Sequence, residues 1–213
     1  MADANKKTAY RNQAEGIIKK LGMRKMEGFY ADTIDEACEK ALELIGSPSK
    51  SVAYGGSMTI DDSGLKDKIK AAGHDLIIRE NSKTDEELKA LKARMINADT
   101  FLMSTNAITL DGELINIDGR GNRVSYLIYG PEQVIVIAGM NKVVKDVAAG
   151  MDRTRNVASP ANTVRLNCDT PCAKLGRCAD CLEHTICCEI VVTRASMIPG
   201  RIKVILVGEE LGF

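Results

Sequence analysis

The run Gln133 to Ala138, QVIVIA, constrains the chain most. Five of its six residues are apolar and do not alternate with polar ones, and the run is too short for a buried helix. It therefore predicts a strand covered on both faces, the signature of a parallel sheet. Gly139-Met140-Asn141-Lys142 follows, and Val143 to Gly150 then reads as a helix. The same order recurs upstream: Ser51 to Tyr54, the glycine turn Gly55-Gly56-Ser57 and a helix from Leu65 to Ala72 ended by Gly73. Leu76 to Ile78, a helix over Asp85 to Asn97 and Thr100 to Ser104 continue it. Strand and helix alternate, which predicts an α/β fold with three layers, helices on both faces of the sheet.

Two helices precede this core. Tyr10 to Leu21 carries Ala14, Ile17, Ile18 and Leu21 at helical spacing; the second is capped by Asp32 or Thr33, lined by Ala37, Ala41, Leu42 and Ile45, and stopped by Gly46 and Pro48. In ITLDGELINID, apolar residues alternate on both sides of Asp111-Gly112, which predicts a β-hairpin inserted beside the sheet. Arg123 to Tyr129 reads as a short helix, residues after Pro160 as irregular through the cysteines, and Glu189 to Thr193 and Lys203 to Val207 as two last strands. A length of 213 residues predicts one domain: N-terminal helices over 1–46, an α/β core over 51–160, a cysteine-rich segment over 161–188 and closing strands over 189–213.

Composition excludes several function classes. The 29 basic residues cancel the 29 acidic ones, so no net charge draws the chain to nucleic acid or an anionic membrane. Aromatics are 4% with no Trp, which leaves few platforms for stacking bases. The longest apolar runs are strand-sized, well below the roughly 20 residues of a membrane span, and MADANKKTAYRNQ has no apolar signal core. These features predict a cytoplasmic protein that binds neither nucleic acid nor membrane.

Candidate ligand groups gather after the strands, where open parallel sheets bind their ligands. Gly55, Gly56, Ser57 and Thr59 can offer backbone N–H groups and hydroxyls to an anion, although a tight turn needing positive φ explains the glycines equally well. Asn106, Asn122 and Arg123 belong to the densest polar stretch, and Asn141 and Lys142 follow the QVIVIA strand. Glu113 and Asp118 are carboxylates of the same polar stretch. Arg153, Arg155 and Arg165 could join Lys142 in an anion pocket. Of the two histidines, His74 reads as structural and His184 as either a metal ligand or free.

Six of seven cysteines crowd into 21 residues: Cys168, Cys172, Cys178, Cys181, Cys187 and Cys188, spaced C-x3-C-x5-C-x2-C-x5-C-C; Cys38 stands apart as a core residue. In a reducing compartment such clustering points to a zinc or iron–sulfur centre before disulfides or unligated thiols. Six thiols exceed the four that either centre needs, and the spacing identifies neither the metal nor the four.

The segments GGSMT, NAITLDGELINIDGRGNRVSYLIYGPEQVIVIAGMNKVVKD and RNVASPANTVRLNCDTPCAKLGRCADC, in that order, resemble the LUD-domain family of lactate-utilisation proteins, its cysteine-rich subgroup. The resemblance implies the α/β/α fold of glucosamine-phosphate deaminases, ribose-phosphate isomerases and CoA transferases. It also implies a role in oxidising lactate or a related organic acid, alongside a dehydrogenase or iron–sulfur partner subunit. A small anionic or carboxylate ligand is the expected occupant. The alternatives are an isomerase or acyl-transfer enzyme acting on a phosphorylated or CoA-linked substrate, with Glu113 or Asp118 as the acting carboxylate, and a non-catalytic assembly or regulatory subunit. The resemblance establishes no catalytic residue.

Overall fold

Six short strands pair in parallel to organise the molecule, a computed structural model that describes residues 4–78, 82 and 84–213. They are β1 (Glu27–Ala31), β2 (Ser51–Tyr54), β3 (Asp75–Ile77), β4 (Thr100–Met103), β7 (Gln133–Gly139) and β10 (Ile202–Val207), in the spatial order β1-β10-β7-β4-β2-β3. Successive side chains of β7 alternate between two cores. Val134, Val136 and Ala138 meet α1 (Ala4–Met23) and α5 (Asp85–Ile96) through Ile17, Leu21, Leu91 and Met95. Ile135 and Ile137 meet α2 (Ile34–Ile45), α3 (Met58–Asp61) and α4 (Leu65–Ala71) through Ala37, Ile45, Ile60, Leu65 and Ile69. The three-layer α/β/α expectation is met, and Cys38 lies buried in the second core. Thr33 caps α2 by accepting the Glu36 N–H, and Thr84 and Glu87 form a capping box on α5.

The predicted hairpin is present as β5 (Ala107–Thr109) and β6 (Leu114–Asp118). With β8 (Val143–Val144) and β9 (Glu189–Thr193) it forms a second sheet, ordered β8-β5-β6-β9. The short helix α6 (Val124–Ile128) follows the hairpin.

Four sequence expectations need correction. Strand β1 was not expected: it is five residues long, only Ala31 is fully covered, and Gly28 interrupts its pattern. That glycine is required, because a Cβ there would lie 2.9 Å from both Ile18 Cγ1 and Leu21 Cδ1, where α1 rests on the strand backbone. Val143 and Val144 are strand, not helix; α7 (Val147–Arg153) starts after its cap, Asp146, whose side chain accepts the Ala149 N–H. The chain does not become irregular at Pro160. A π-helical turn over Thr154–Ala158 joins α7 to α8 (Ser159–Arg165), and α9 (Pro171–Leu175) follows. Pro160 has no N–H for the carbonyl four residues back and its ring crowds that carbonyl, a sufficient cause for the widened turn just before it. The last strand does more than close the chain, since β10 sits inside the main sheet between β1 and β7.

Because these strands are parallel, the loops after β2, β4 and β7 emerge side by side at one edge. β2 continues into α3 and α4, packed in the second core, whereas β4 continues into the inserted hairpin. Neighbouring strands whose connections part in this way leave a crevice between them. Among the described residues, no helix is long and apolar enough to cross a membrane.

Ile205, fully buried on β10, is the test of this arrangement. Ile205→Ala should cost about 2–5 kcal/mol by opening a cavity under α2. Urea unfolding should show a lower midpoint with an unchanged slope; an unchanged midpoint would remove β10 from the core.

Candidate functional site

Lys142 leaves the end of β7 in a single 3-10 turn, and its side chain runs back into the crevice between β2 and β4. It is 3% exposed. Its Nζ donates to Thr59 Oγ1 (3.0 Å), from the segment after β2, and to Ser104 Oγ (2.9 Å), directly after β4. Neither partner carries a charge. Burial, reinforced by Arg153 and then Arg123, lowers the Lys142 pKa to about 7. An ammonium kept this dry with hydroxyls alone for company is costly unless an anion joins it.

Arg153, at the end of α7, donates through Nε to the Asn141 carbonyl (3.1 Å) and through Nη1 to the Asn106 carbonyl (2.5 Å). Burial lowers its pKa as well, and among the described residues it forms no ion pair with a carboxylate. Arg123 is held differently. Asp118, 5% exposed, accepts Arg123 Nε (2.7 Å) and the backbone N–H groups of Arg123 (2.7 Å) and Val124 (3.0 Å), while Arg123 Nη2 reaches Asn106 Oδ1 (3.1 Å) and the Ile117 carbonyl (2.7 Å). Asp118 thus starts α6 and aims Arg123; its oxygens are engaged, so it is a positioning group and not a free base. Gly55 lets the β2 loop pass close by, since a Cβ there would lie 2.6 Å from Phe101 Cζ and 3.1 Å from Arg123 Cγ.

Asn116 adds an unusual feature: it is fully buried on β6, on the same face as Asp118, and neither its Oδ1 nor its Nδ2 has a hydrogen-bond partner. One position beyond the Ala107–Ile115 pair, it stands opposite Asn106. A buried amide with both atoms unpaired calls for a ligand or an ordered water.

The remaining predicted site residues disperse. Glu113 pairs with Arg24 (2.8 Å) and accepts from Thr109 Oγ1 (2.5 Å), so it clamps the hairpin to the end of α1. Five residues of extended strand separate it from Asp118, roughly 17 Å at 3.3–3.4 Å per residue, so the two carboxylates cannot act on one substrate atom. Asn141 holds the C-terminal stretch, accepting the Leu211 N–H (3.1 Å) and donating to the Gly212 carbonyl (3.4 Å). Asn122 is exposed. In the glycine turn Gly56 takes φ +74, but the Ser57 N–H is already donated to Tyr54 Oη (2.5 Å) and α3 is a single turn, so no phosphate cradle is preformed. Arg155 turns to Asp180 and Arg165 to Asn162, so Arg153 alone of the three joins Lys142. His74 is buried just before β3, and His184 is exposed beside Glu183.

The cysteine segment lies along the helix that carries Arg153. Cys178 donates its N–H to Asn156 Oδ1 (3.0 Å), Cys187 its thiol to Ser159 Oγ (3.5 Å), and Cys172 Sγ sits 3.4 Å from Thr163 Oγ1 and 3.3 Å from Thr170 Oγ1. Burial pushes the Cys187 thiol up against the Ser159 hydrogen bond, and Cys172, Cys178 and Cys181 add to the rise. All seven cysteines are free thiols. Among the described residues, no three Cys, His, Asp or Glu side chains are already arranged to hold a metal ion. The thiols are neighbours, not an assembled ligand set. Two open hollows flank this segment, about 550 Å³ beside Arg155, Arg177 and Cys178 and about 340 Å³ beside Lys174, Cys181 and His184. Both lie apart from Lys142, whose surroundings are polar and closed; the chemistry of the buried cations, not the size of a hollow, marks the site.

Sequence reasoning passed over Ser104 and gave Asn116 no role. Each had a signal: a Ser-Thr-Asn run at the end of a buried strand, and one amide inside the otherwise apolar LINI.

The family described as LUD domain matches residues 14–207. A crystal structure of a DUF162 family protein from Deinococcus radiodurans superposes with a TM-score of 0.52 at 18% identity, covering 94% of this chain and 98% of that one. A crystal structure of eIF2B delta from Chaetomium thermophilum reaches a TM-score of 0.37 at 14% identity over 56% of this chain and 50% of that one. No curated protein is significantly similar to the chain.

Lys142 and Glu113 make opposite stability predictions. Lys142 has a folded pKa of about 7 against an ordinary 10.5, so the unfolded chain binds the extra proton between those values. This group therefore makes stability rise with pH from about 7 to about 10.5, and its cost is fully present below 7. Lys142→Met should be at least as stable as the parent near pH 6 in urea unfolding; a clear loss there contradicts a strained ammonium. Glu113→Ala should lose about 1–3 kcal/mol with its charged hydrogen bonds, leaving anion binding unchanged.

Proposed function

The chain belongs to the LUD-domain family, and from that premise we propose that it is a lactate-utilisation-type component of organic-acid oxidation whose β2–β4 crevice binds a small carboxylate. A metal or iron–sulfur centre in the cysteine segment and a dehydrogenase or iron–sulfur partner subunit complete this reading. One observation carries the carboxylate: Lys142, Arg153 and Arg123 converge, and the single carboxylate among them, Asp118, is consumed by Arg123 and two backbone N–H groups.

A two-carbon or three-carbon acid suits such a site. Its carboxylate meets the Lys142 ammonium and the Arg153 guanidinium, both short of negative charge. A 2-hydroxyl or 2-oxo oxygen finds the Ser104 and Thr59 hydroxyls as hydrogen-bonding partners. Charge-assisted hydrogen bonds in a dry crevice are worth more than at the surface, and the anion repays the desolvation of Lys142. The Leu211–Gly212 stretch lies against Thr59, whose Oγ1 donates to the Leu211 carbonyl (3.4 Å). Binding draws a proton to Lys142 whenever the amine is neutral beforehand. Support for the isomerase and acyl-transfer readings is weaker, because both need a free carboxylate and Glu113 and Asp118 are engaged.

Calorimetric titration with lactate, pyruvate and their methyl esters tests the proposal. The acids should bind and the esters should not. Affinity should fall as pH rises through about 7, where Lys142 loses its proton. Lys142→Met and Arg153→Met should each weaken binding roughly 10–100-fold, the loss expected for one charge-assisted hydrogen bond. Equal binding of acid and ester, or stabilisation by sugar phosphates or acyl-CoA instead, would overturn it.

A further inference from the structure

We infer that Lys142 takes 2-oxo acids covalently: its Nζ condenses with the C2 carbonyl to a reversible iminium while Arg153 holds the carboxylate. This step rests on reading the crevice as a carboxylate site and deepens it. It separates a 2-oxo acid such as pyruvate from a 2-hydroxy acid such as lactate, which has no carbonyl to condense.

The surroundings of the nitrogen suit a nucleophile. Nζ donates to Thr59 Oγ1 (3.0 Å) and to Ser104 Oγ (2.9 Å), and the Thr59 hydroxyl directs its own proton at the Leu211 carbonyl (3.4 Å). A neutral amine has two N–H bonds and one lone pair. Two acceptors take both N–H bonds, so the lone pair is left unengaged and its direction is fixed. Among the described residues no carboxylate forms an ion pair with Lys142, and Asp118 is committed to Arg123 and two backbone N–H groups. Burial disfavours the ammonium and the Arg153 and Arg123 guanidiniums repel it, so the amine form is populated near neutral pH. Lys50 and Lys174 show the opposite case: Asp99 and Asp169 beside them hold their pKa values up and keep them protonated.

Arg153 supplies the grip on the acid. Its Nε and one Nη1–H are spent on the carbonyls of Asn141, the chain neighbour of Lys142, and Asn106. The other Nη1–H and both Nη2–H bonds remain for a carboxylate. In the condensation the Nζ lone pair attacks C2, the C=O π electrons pass to the oxygen, and a proton moves from nitrogen to that oxygen to give a carbinolamine. The C2–O bond then breaks, the oxygen leaves as water with a proton taken from solvent, and the nitrogen lone pair closes the C=N bond. The Ser104 and Thr59 hydroxyls touch Nζ and can pass the proton between nitrogen and oxygen. One neutral amine, one 2-oxo acid and one proton thus give one iminium and one water, with nothing oxidised or reduced. The iminium carries the same single positive charge as the ammonium, so the carboxylate keeps its counterion.

Reductive trapping of the full chain tests this step. With pyruvate and cyanoborohydride near neutral pH, hydride adds to C2 of the iminium and fixes it as a secondary amine, which digestion and mass spectrometry locate. One reduced adduct per chain is expected with pyruvate, on Lys142, and none with lactate or with methyl pyruvate, which lacks the carboxylate. Lys142→Met should abolish it, and Arg153→Met at sub-saturating pyruvate should lower its yield roughly 10–100-fold, in step with affinity. The position of the adduct is read in the parent chain, so the result stands even where a variant fails to fold. Adduct spread over exposed lysines as heavily as on Lys142, or undiminished in Lys142→Met, would overturn the inference. An unmodified Lys142 in a chain that calorimetry shows to bind pyruvate would overturn it too, and would leave the carboxylate site standing. Binding of neither lactate nor pyruvate would overturn both.

Discussion

A positive charge without a negative partner governs this structure. The Lys142 ammonium is buried between the hydroxyls of Thr59 and Ser104, and those two residues sit on loops that share nothing except the parallel sheet beneath them. The strand order β7-β4-β2 is what makes the contact possible, because it sets the three loop origins side by side. Desolvation makes the arrangement unfavourable in isolation, and a fold that retains it gains an anion site whose strength comes from that same desolvation.

The second sheet and the long broken helix give this charge its surroundings. The hairpin presents Asn106, Asn116 and Asp118 along one end, and α7 delivers Arg153 across it to the Asn106 carbonyl. One turn later the same helix becomes a seat for cysteines through Asn156, Ser159 and Thr163. The cysteine segment then returns to the hairpin, where Cys188 donates to the Asp118 carbonyl and Ile186 lies against Gly119, close enough that a Cβ on that glycine would sit 2.9 Å from the Ile186 carbonyl oxygen. The cysteine segment thus rests on the helix that delivers Arg153 and returns to the hairpin that holds Asp118.

Most of the main sheet was legible, because QVIVIA, SVAY and the glycine stops state their conformations locally. Strand β1 was not, since its pairing is settled by β10, more than 170 residues away, and by the approach of α1 to Gly28. Helix α8 was hidden by Pro160, which reads as a break and is accommodated by a π turn. At the site, Lys142, Thr59, Asn106 and Arg123 stood out from their position after strands. Glu113 misled for a reason of distance: its neighbour in space is Arg24 at the end of α1, and only tertiary structure shows that its charge is spent there. Ser104 was passed over because the Ser-Thr-Asn run after β4 signals a polar strand end and not which of its residues a lysine will reach.

The titration of Lys142 itself tests this account most directly. With isotope-labelled lysine and the signal assigned by its absence in Lys142→Met, nuclear magnetic resonance should show an amine that titrates near 7, and whose pKa moves up when lactate or pyruvate is added. A Lys142 signal that titrates in the ordinary lysine range near 10.5 and does not respond to either acid would contradict the buried, anion-seeking ammonium on which the account rests.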